Sequence, residues 1–249
     1  MRKIAIINQK GGTGKTTTAA NLGVGLARKG KKVILIDTDP QGSLGVWFNI
    51  PEGKTLYHIL TNGSGIEGCV YPIMNNLDLI PSNRTLVQAE ILLAGRPQRE
   101  SVLKESLSKI AYYDYAILDC APSLSLLSLN SLIYASEVFI PVSMEYLSMV
   151  GAKELLENLK MARELLSHDI KVTMVIPTFY DKRNRKSSEV VSNLDKYFPG
   201  LVSSPIRVSV KLSESVSYHQ DIFSYAPHSS GAEDYEKLVE RVIKSMASL

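Results

Sequence analysis

The chain has 249 residues, 45% of them hydrophobic and 21% charged, with a formal net charge of +3. That balance is ordinary for a folded protein, excludes disorder, and lies too close to neutral to name a nucleic-acid or membrane partner by itself. The two cysteines, Cys69 and Cys120, stand far apart with no CxxC, which excludes a disulfide framework or cysteine-built zinc site and suits a reducing compartment.

The N-terminus enters an apolar run at once, without a leader-like segment, and nothing approaches the roughly 20 apolar residues of a membrane span. A cytoplasmic protein is expected. Runs at 4–7, 33–36, 77–80, 115–118, 138–142 and 172–176 read as strands. They are nearly continuous in apolar residues, as in strands buried on both faces of a parallel sheet. Helical patterns fall between them at 16–29, 86–93, 101–110, 125–135 and 151–166, and segments 62–65 and 199–204 read as loops. The alternation predicts an α/β fold, a wound, mostly parallel central sheet with helices on both faces. No repeat or linker divides the chain, so residues 1–249 are expected to form a single domain.

The first run ends near Asn8, and a glycine-rich turn follows, Lys10-Gly-Gly-Thr-Gly-Lys-Thr16, with Thr17 inside the next helix. Glycines let backbone wrap a phosphate, and a helix start presents unpaired N–H groups to an anion. Lys15 suits the β- and γ-phosphates and Thr16 suits Mg²⁺, which implies ATP as the ligand. The common pattern G-x-x-x-x-G-K-[ST] is not met in full. Its first glycine would fall on Gln9, and a second lysine, Lys10, follows instead.

This segment resembles the deviant Walker A motif of the ParA/MinD family of P-loop ATPases, with the short Soj-like ParA proteins as the nearest members. Asp37-Thr-Asp-Pro-Gln-Gly42, Tyr115-Ala-Ile-Leu-Asp-Cys-Ala-Pro122 and Lys211-Leu-Ser-Glu214 match in order and spacing, so the resemblance spans the chain. It implies a Mg²⁺-dependent ATPase that assembles as an ATP-sandwich homodimer. Nucleotide contacts would come from Lys10, Gly11, Gly12, Thr13, Gly14, Lys15, Thr16 and Thr17. Lys10 would act in trans on the partner's phosphates, and Asp39 would orient the attacking water. Thr16, Asp37 and Asp119 would support the metal, although a carboxylate in Asp37's place also suits capping of the next helix or turn. Glu145 falls near the expected dimer interface. Cys120 reads as a buried structural thiol.

Four cations in five residues, Lys182, Arg183, Arg185 and Lys186, form the densest positive run, and Arg207 and Lys211 form a sparser one. By resemblance these would bind double-stranded DNA without sequence preference, giving nucleoid association, and a ParB-like partner would stimulate hydrolysis. The cargo, a chromosome, plasmid or other large body, is not encoded in such features. The MinD-like alternative is a membrane-cycling spatial regulator. Against it, Tyr235, Leu238, Val239, Val242, Ile243 and Met246 form one apolar face whose opposite side is nearly balanced in charge, whereas a membrane-surface helix is rich in Lys and Arg there. A cluster-carrying reductase on the same fold would need cysteines that Cys69 and Cys120 do not supply.

Overall fold

The computed structural model describes residues 1–62, 65–123, 125–145, 157, 160 and 169–245. The expected helix at 151–166 lies outside them save for Glu157 and Lys160, as do Met246 and the middle of the 62–65 loop.

The strands are β1 (Arg2–Ile6), β2 (Val33–Asp37), β3 (Tyr71–Met74), β4 (Leu77–Ile80), β5 (Tyr115–Asp119), β6 (Glu137–Ser143) and β7 (Lys171–Thr178). They form one sheet in the order β3-β4-β2-β5-β1-β6-β7, parallel throughout except where β3 runs antiparallel on β4. The fold class expected from the alternation is therefore present. Edge strand β3 was not anticipated. It carries Pro72 and alternates between half-buried and exposed residues, a pattern suited to an edge and weak as a sequence signal.

Residues of β2 and β5 divide by parity between two apolar layers. Val33, Leu35, Tyr115 and Ile117 face one layer, and Ile34, Ile36, Ala116 and Leu118 face the other. Side chains alternate across a strand, so a strand covered on both sides must be apolar at every position. The first layer is closed by α1 (Lys15–Arg28), α2 (Ser43–Trp47), α9 (Ile222–Tyr225) and α10 (Ser230–Lys244); the second by α3 (Leu56–Asn62), α4 (Leu86–Leu93), α5 (Val102–Ser106), α6 (Leu126–Tyr134) and α7 (Arg185–Tyr197). Helix α8 (Val210–Ser217) lies on the outer side of the first layer. The helix expected at 101–110 is shorter, with a 3₁₀ turn at Arg99–Ser101 leading into α5. The short helices α2, α3, α8 and α9 were not anticipated, because four to eight residues give too few turns for helical periodicity to register.

Helix α10 settles where the C-terminal apolar face goes. Tyr235, Leu238, Val239 and Val242 are buried, and α10 packs on α1 at Gly25, where an added Cβ would sit 2.4 Å from a Val239 methyl. The face that a membrane helix would offer to lipid is thus inside the protein. Among the described residues no helix is long and apolar enough to cross a membrane.

A buried ion pair ties the first strand to β6 and to the end of α10. Arg2 Nε and Nη2 donate to the two Glu137 oxygens at 2.7 and 2.6 Å, and Nη1 donates to the Val242 carbonyl at the end of α10. Thr173 on β7 donates its hydroxyl to Glu137. Both charged side chains are about nine-tenths buried, so removing one partner strands the other. Glu137→Ala is expected to lower unfolding free energy by ~3 kcal/mol, read from urea denaturation, whereas Glu236→Gln, which breaks the exposed Lys29–Glu236 pair, should shift it by no more than ~0.5 kcal/mol.

Candidate functional site

The parallel register brings three chain segments level at the carboxyl edge of the sheet. Ile6 of β1 pairs with Asp119 of β5, and Asp37 of β2 pairs with the same Asp119. The glycine loop leaves β1 there and wraps into α1. Gly12 and Gly14 take left-handed φ values of 70° and 85°, which non-glycine residues adopt only with strain. Among the described residues, nothing beyond the chain neighbours comes within 4 Å of where a Cβ on Gly11 or Gly12 would lie, so bare backbone faces open space. Helix α1 starts without a side-chain cap, leaving its first N–H groups for an anion.

The two loop lysines are separated. Lys15 is buried and its Nζ donates to the Lys10 carbonyl at 3.1 Å. Burial lowers its pKa, while the nearby Asp119 and Asp39 carboxylates oppose that effect. Lys10 lies on the outer side, its Nζ paired with Glu145, beside a cleft of about 500 Å³ shared with Gly11, Gly12, Asp181 and Asn184. Asn8 and Thr13 brace the loop from behind. The Asn8 amide donates to the Pro141 carbonyl at 2.7 Å, and Thr178 donates to the Thr13 carbonyl at 2.9 Å.

The three carboxylates differ in partners. Asp119 is buried, and among the described residues no group lies within hydrogen-bonding geometry of either oxygen, the Thr16 hydroxyl being near but not aligned. Burial pushes its carboxyl up to about 7, with the Thr16 hydroxyl and Lys15 pulling down and Asp39 pushing up. An orphaned buried carboxylate beside Thr16 fits a divalent cation, which favours oxygen donors and offsets the buried charge. Asp37 is also fully buried, but its oxygens accept from the Asp39 and Leu44 amides at 3.1 and 3.0 Å. It therefore braces the segment leading into α2, the capping role noted above, and has less free oxygen to offer a cation than Asp119. Asp39 lies beyond the end of β2 at the surface of the site, with one oxygen accepting from the Gln41 amide at 2.9 Å. Ser82 donates its hydroxyl to the Asp39 carbonyl. Burial pushes the Cys120 thiol up to about 12, as suits a protonated packing residue.

A second cleft, of about 230 Å³, opens beside Gly14 and Thr17 and is walled by Phe179, Ile206, Val208 and Tyr235. Its size and apolar walls suit a nucleotide base. No motif announced it, because it is assembled from four segments distant in the chain. The one local sign is Phe179, half-exposed and held at φ 55°, a conformation that costs energy in a bulky residue.

The basic residues do not form one set. Arg207 is held by Asp234 at 2.7 and 2.8 Å, by Glu233 and by the Ser230 carbonyl, which makes it a tie between the 206–209 segment and α10. Lys211 pairs with Glu214 at 2.8 Å, Arg183 with Asp181 at 2.9 Å and Arg185 with Glu189 at 3.1 Å. Lys182 and Lys186 have no ion pair among the described residues. The run, given no element of its own in the sequence reading, leads into the 13-residue helix α7, capped by Asn184, whose side chain accepts from the Lys186 amide at 3.0 Å. Of these cations Arg185 and Lys186 fall in the first helical turn, where positive charge opposes the helix dipole.

Known proteins share this fold over nearly its whole length. The AAA domain family model AAA_31 matches residues 1–172. The chromosome-partitioning ATPase Soj of Treponema pallidum is 37% identical over 245 residues, covering 97% of each chain. The sporulation initiation inhibitor Soj of Bacillus subtilis is 39% identical over 245 residues, covering 96% of this chain and 97% of that one. Among solved structures, the cobyrinic acid a,c-diamide synthase of Mycobacterium smegmatis with bound ATP analogue and magnesium matches at a TM-score of 0.86 and 29% identity, covering 100% of this chain and 96% of that one. An ATP complex of Cyanothece McdA matches at a TM-score of 0.88 and 25% identity, covering 99% and 96%. Fold and loop define a P-loop ATPase that takes ATP with magnesium. Within that class, the chain belongs to the Soj/ParA family of chromosome-partitioning ATPases.

Burial and the charge of neighbouring carboxylates raise both Asp37 and Asp119, and Asp119 contributes part of the resulting pH dependence of stability. Its folded pKa of about 7 lies above the ordinary 3.8, so between those values the folded chain holds a proton that the unfolded chain has released. Stability from this group is greatest in acid and falls as pH rises through about 7. In buffer free of magnesium and nucleotide, Asp119→Asn should flatten that part of the stability–pH curve, measured by urea denaturation across the range. An unchanged slope would place the titration elsewhere.

Proposed function

We propose that the chain is a single-domain, cytoplasmic partition ATPase whose ATP-bound form is a sandwich dimer on nucleoid DNA. The observation that carries this is the sorting of the two loop lysines. Lys15 sits inside the phosphate site, and Lys10 sits on its outer rim facing an open cleft. A cation there is placed to reach a facing subunit rather than its own nucleotide. The full-length likeness to the Soj proteins supports the same reading.

In this reading the loop amides of 11–17 and Lys15 bind the phosphates, and the base enters the Phe179 cleft. Thr16 and Asp119 would hold Mg²⁺, which neutralises phosphate charge and fixes phosphate geometry when bound. Lys10 offsets charge in the partner's site as hydrolysis proceeds. Asp39, at the surface end of its segment, orients water. A ParB-like protein stimulates hydrolysis through the Asp39–Gly42 loop, and cargo choice belongs to that protein. DNA phosphates are met by Lys182 and Lys186 with help from the N-terminus of α7, and Arg183, Arg185 and Lys211 join by exchanging exposed carboxylates for phosphates.

Two experiments separate the steps. Lys15→Ala should lose nucleotide binding and every behaviour that depends on it. Asp39→Ala should still bind ATP and dimerise while turnover falls by about 100-fold or more; parent-rate turnover would remove Asp39 from the mechanism. Retention on non-specific duplex should require ATP and weaken steeply with salt. The Lys182→Ala, Lys186→Ala double variant should flatten the log–log salt slope by about 2, and retention indifferent to nucleotide and salt would reject DNA binding.

A further inference from the structure

Glu145 lies outside the phosphate loop, yet it holds the loop's outer lysine. It follows β6 in a tight turn whose Glu145 amide donates to the Ser143 carbonyl at 2.7 Å. Its carboxylate accepts from Lys10 Nζ across 135 residues of chain. Lys10 lowers the Glu145 pKa by hydrogen bond and charge, and Lys186 adds a weaker attraction from the start of α7.

The backbone of Lys10 is engaged as well. Its amide donates to Asn8 Oδ1 at 3.0 Å, and its carbonyl accepts from Lys15 Nζ at 3.1 Å. Both loop lysines are therefore occupied within one chain, Lys15 by the Lys10 carbonyl and Lys10 by Glu145. Phosphate in the loop draws Lys15 toward itself, since a charge-assisted contact exceeds one to a neutral carbonyl. That releases the tether on the Lys10 carbonyl, while Asn8 still holds its amide and the Glu145 pair still holds its ammonium.

We propose that Glu145 is a positioning residue that keeps Lys10 in its own subunit until a second ATP-loaded copy competes for it. The proposal rests on the reading that Lys10 acts in trans. One ammonium cannot serve Glu145 and a partner's phosphates together, so assembly includes breaking this pair. The exposure of the pair suits that role. With side chains 30% and 64% exposed, it is screened and weak, enough to set a threshold without trapping the lysine.

The test has two arms. In nucleotide-free protein, brief acetylation followed by mass spectrometry reads the availability of the Lys10 amine. Glu145→Gln should raise Lys10 labelling, relative to Lys182, by about two- to fivefold. With ATP, analytical ultracentrifugation should show the same variant reaching half-dimer at a protein concentration about two- to fivefold lower. Unchanged labelling or unchanged dimerisation overturns the proposal. Weaker dimerisation also overturns it, by assigning Glu145 to the interface itself. Lys10→Ala serves as the control: parent-like dimerisation and turnover there would mean that the trans reading of Lys10 has failed, whatever Glu145→Gln does.

Discussion

A carboxylate buried with both oxygens unbonded destabilises the chain that carries it, and Asp119 is held in that state by its neighbours on the sheet. Its strand is the central partner of β1 and β2, so it cannot swing toward water without breaking the ladder on both sides. The same register sets the phosphate loop and Asp37 level with it. The site is therefore an edge of fixed geometry with negative charge at its floor and backbone N–H groups at its wall. A nucleotide with its metal brings charge of both signs to that edge, and each finds the surroundings that its opposite made unfavourable.

Charges above this floor are arranged by depth. Lys15 is inside, Lys10 is at the rim, and Lys182 and Lys186 lie farther out by the start of α7. Glu145 stands between the last two levels, paired with Lys10 and near Lys186. An acidic residue in that place faces the rim of the ATP site and, more weakly, the start of the basic run. Arg207, by contrast, spends its donors on Asp234, Glu233 and a carbonyl, and its positive charge is matched locally.

Helix α10 joins two tasks that sequence reading treats apart. Its apolar face completes the layer under α1, while Asp234 anchors Arg207 and Tyr235 walls the apolar cleft beside Gly14 and Thr17. Tyr235 also meets the Thr18 hydroxyl at 3.3 Å, within the helix that begins at the phosphate loop. The C-terminal helix thus shapes the nucleotide site from behind, and the packing that does so removes its apolar face from any surface role.

Residue order alone determined the central strands and the phosphate loop. Continuous β-branched runs have one stable place, inside a sheet covered on both faces, and a glycine loop between strand and helix carries its chemistry within seven residues. Asp119 was legible for the same reason, as the polar end of an apolar strand. Edge strand β3, the short helices and the base cleft were not, since their stability or shape comes from partners distant in the chain. Tertiary structure alone separated Asp37 from Asp119, because hydrogen-bond saturation depends on which amides fold back toward a carboxylate. It also divided Arg207 from Lys186 and joined Lys10 to Glu145, since residue type records a charge and only packing decides what that charge faces.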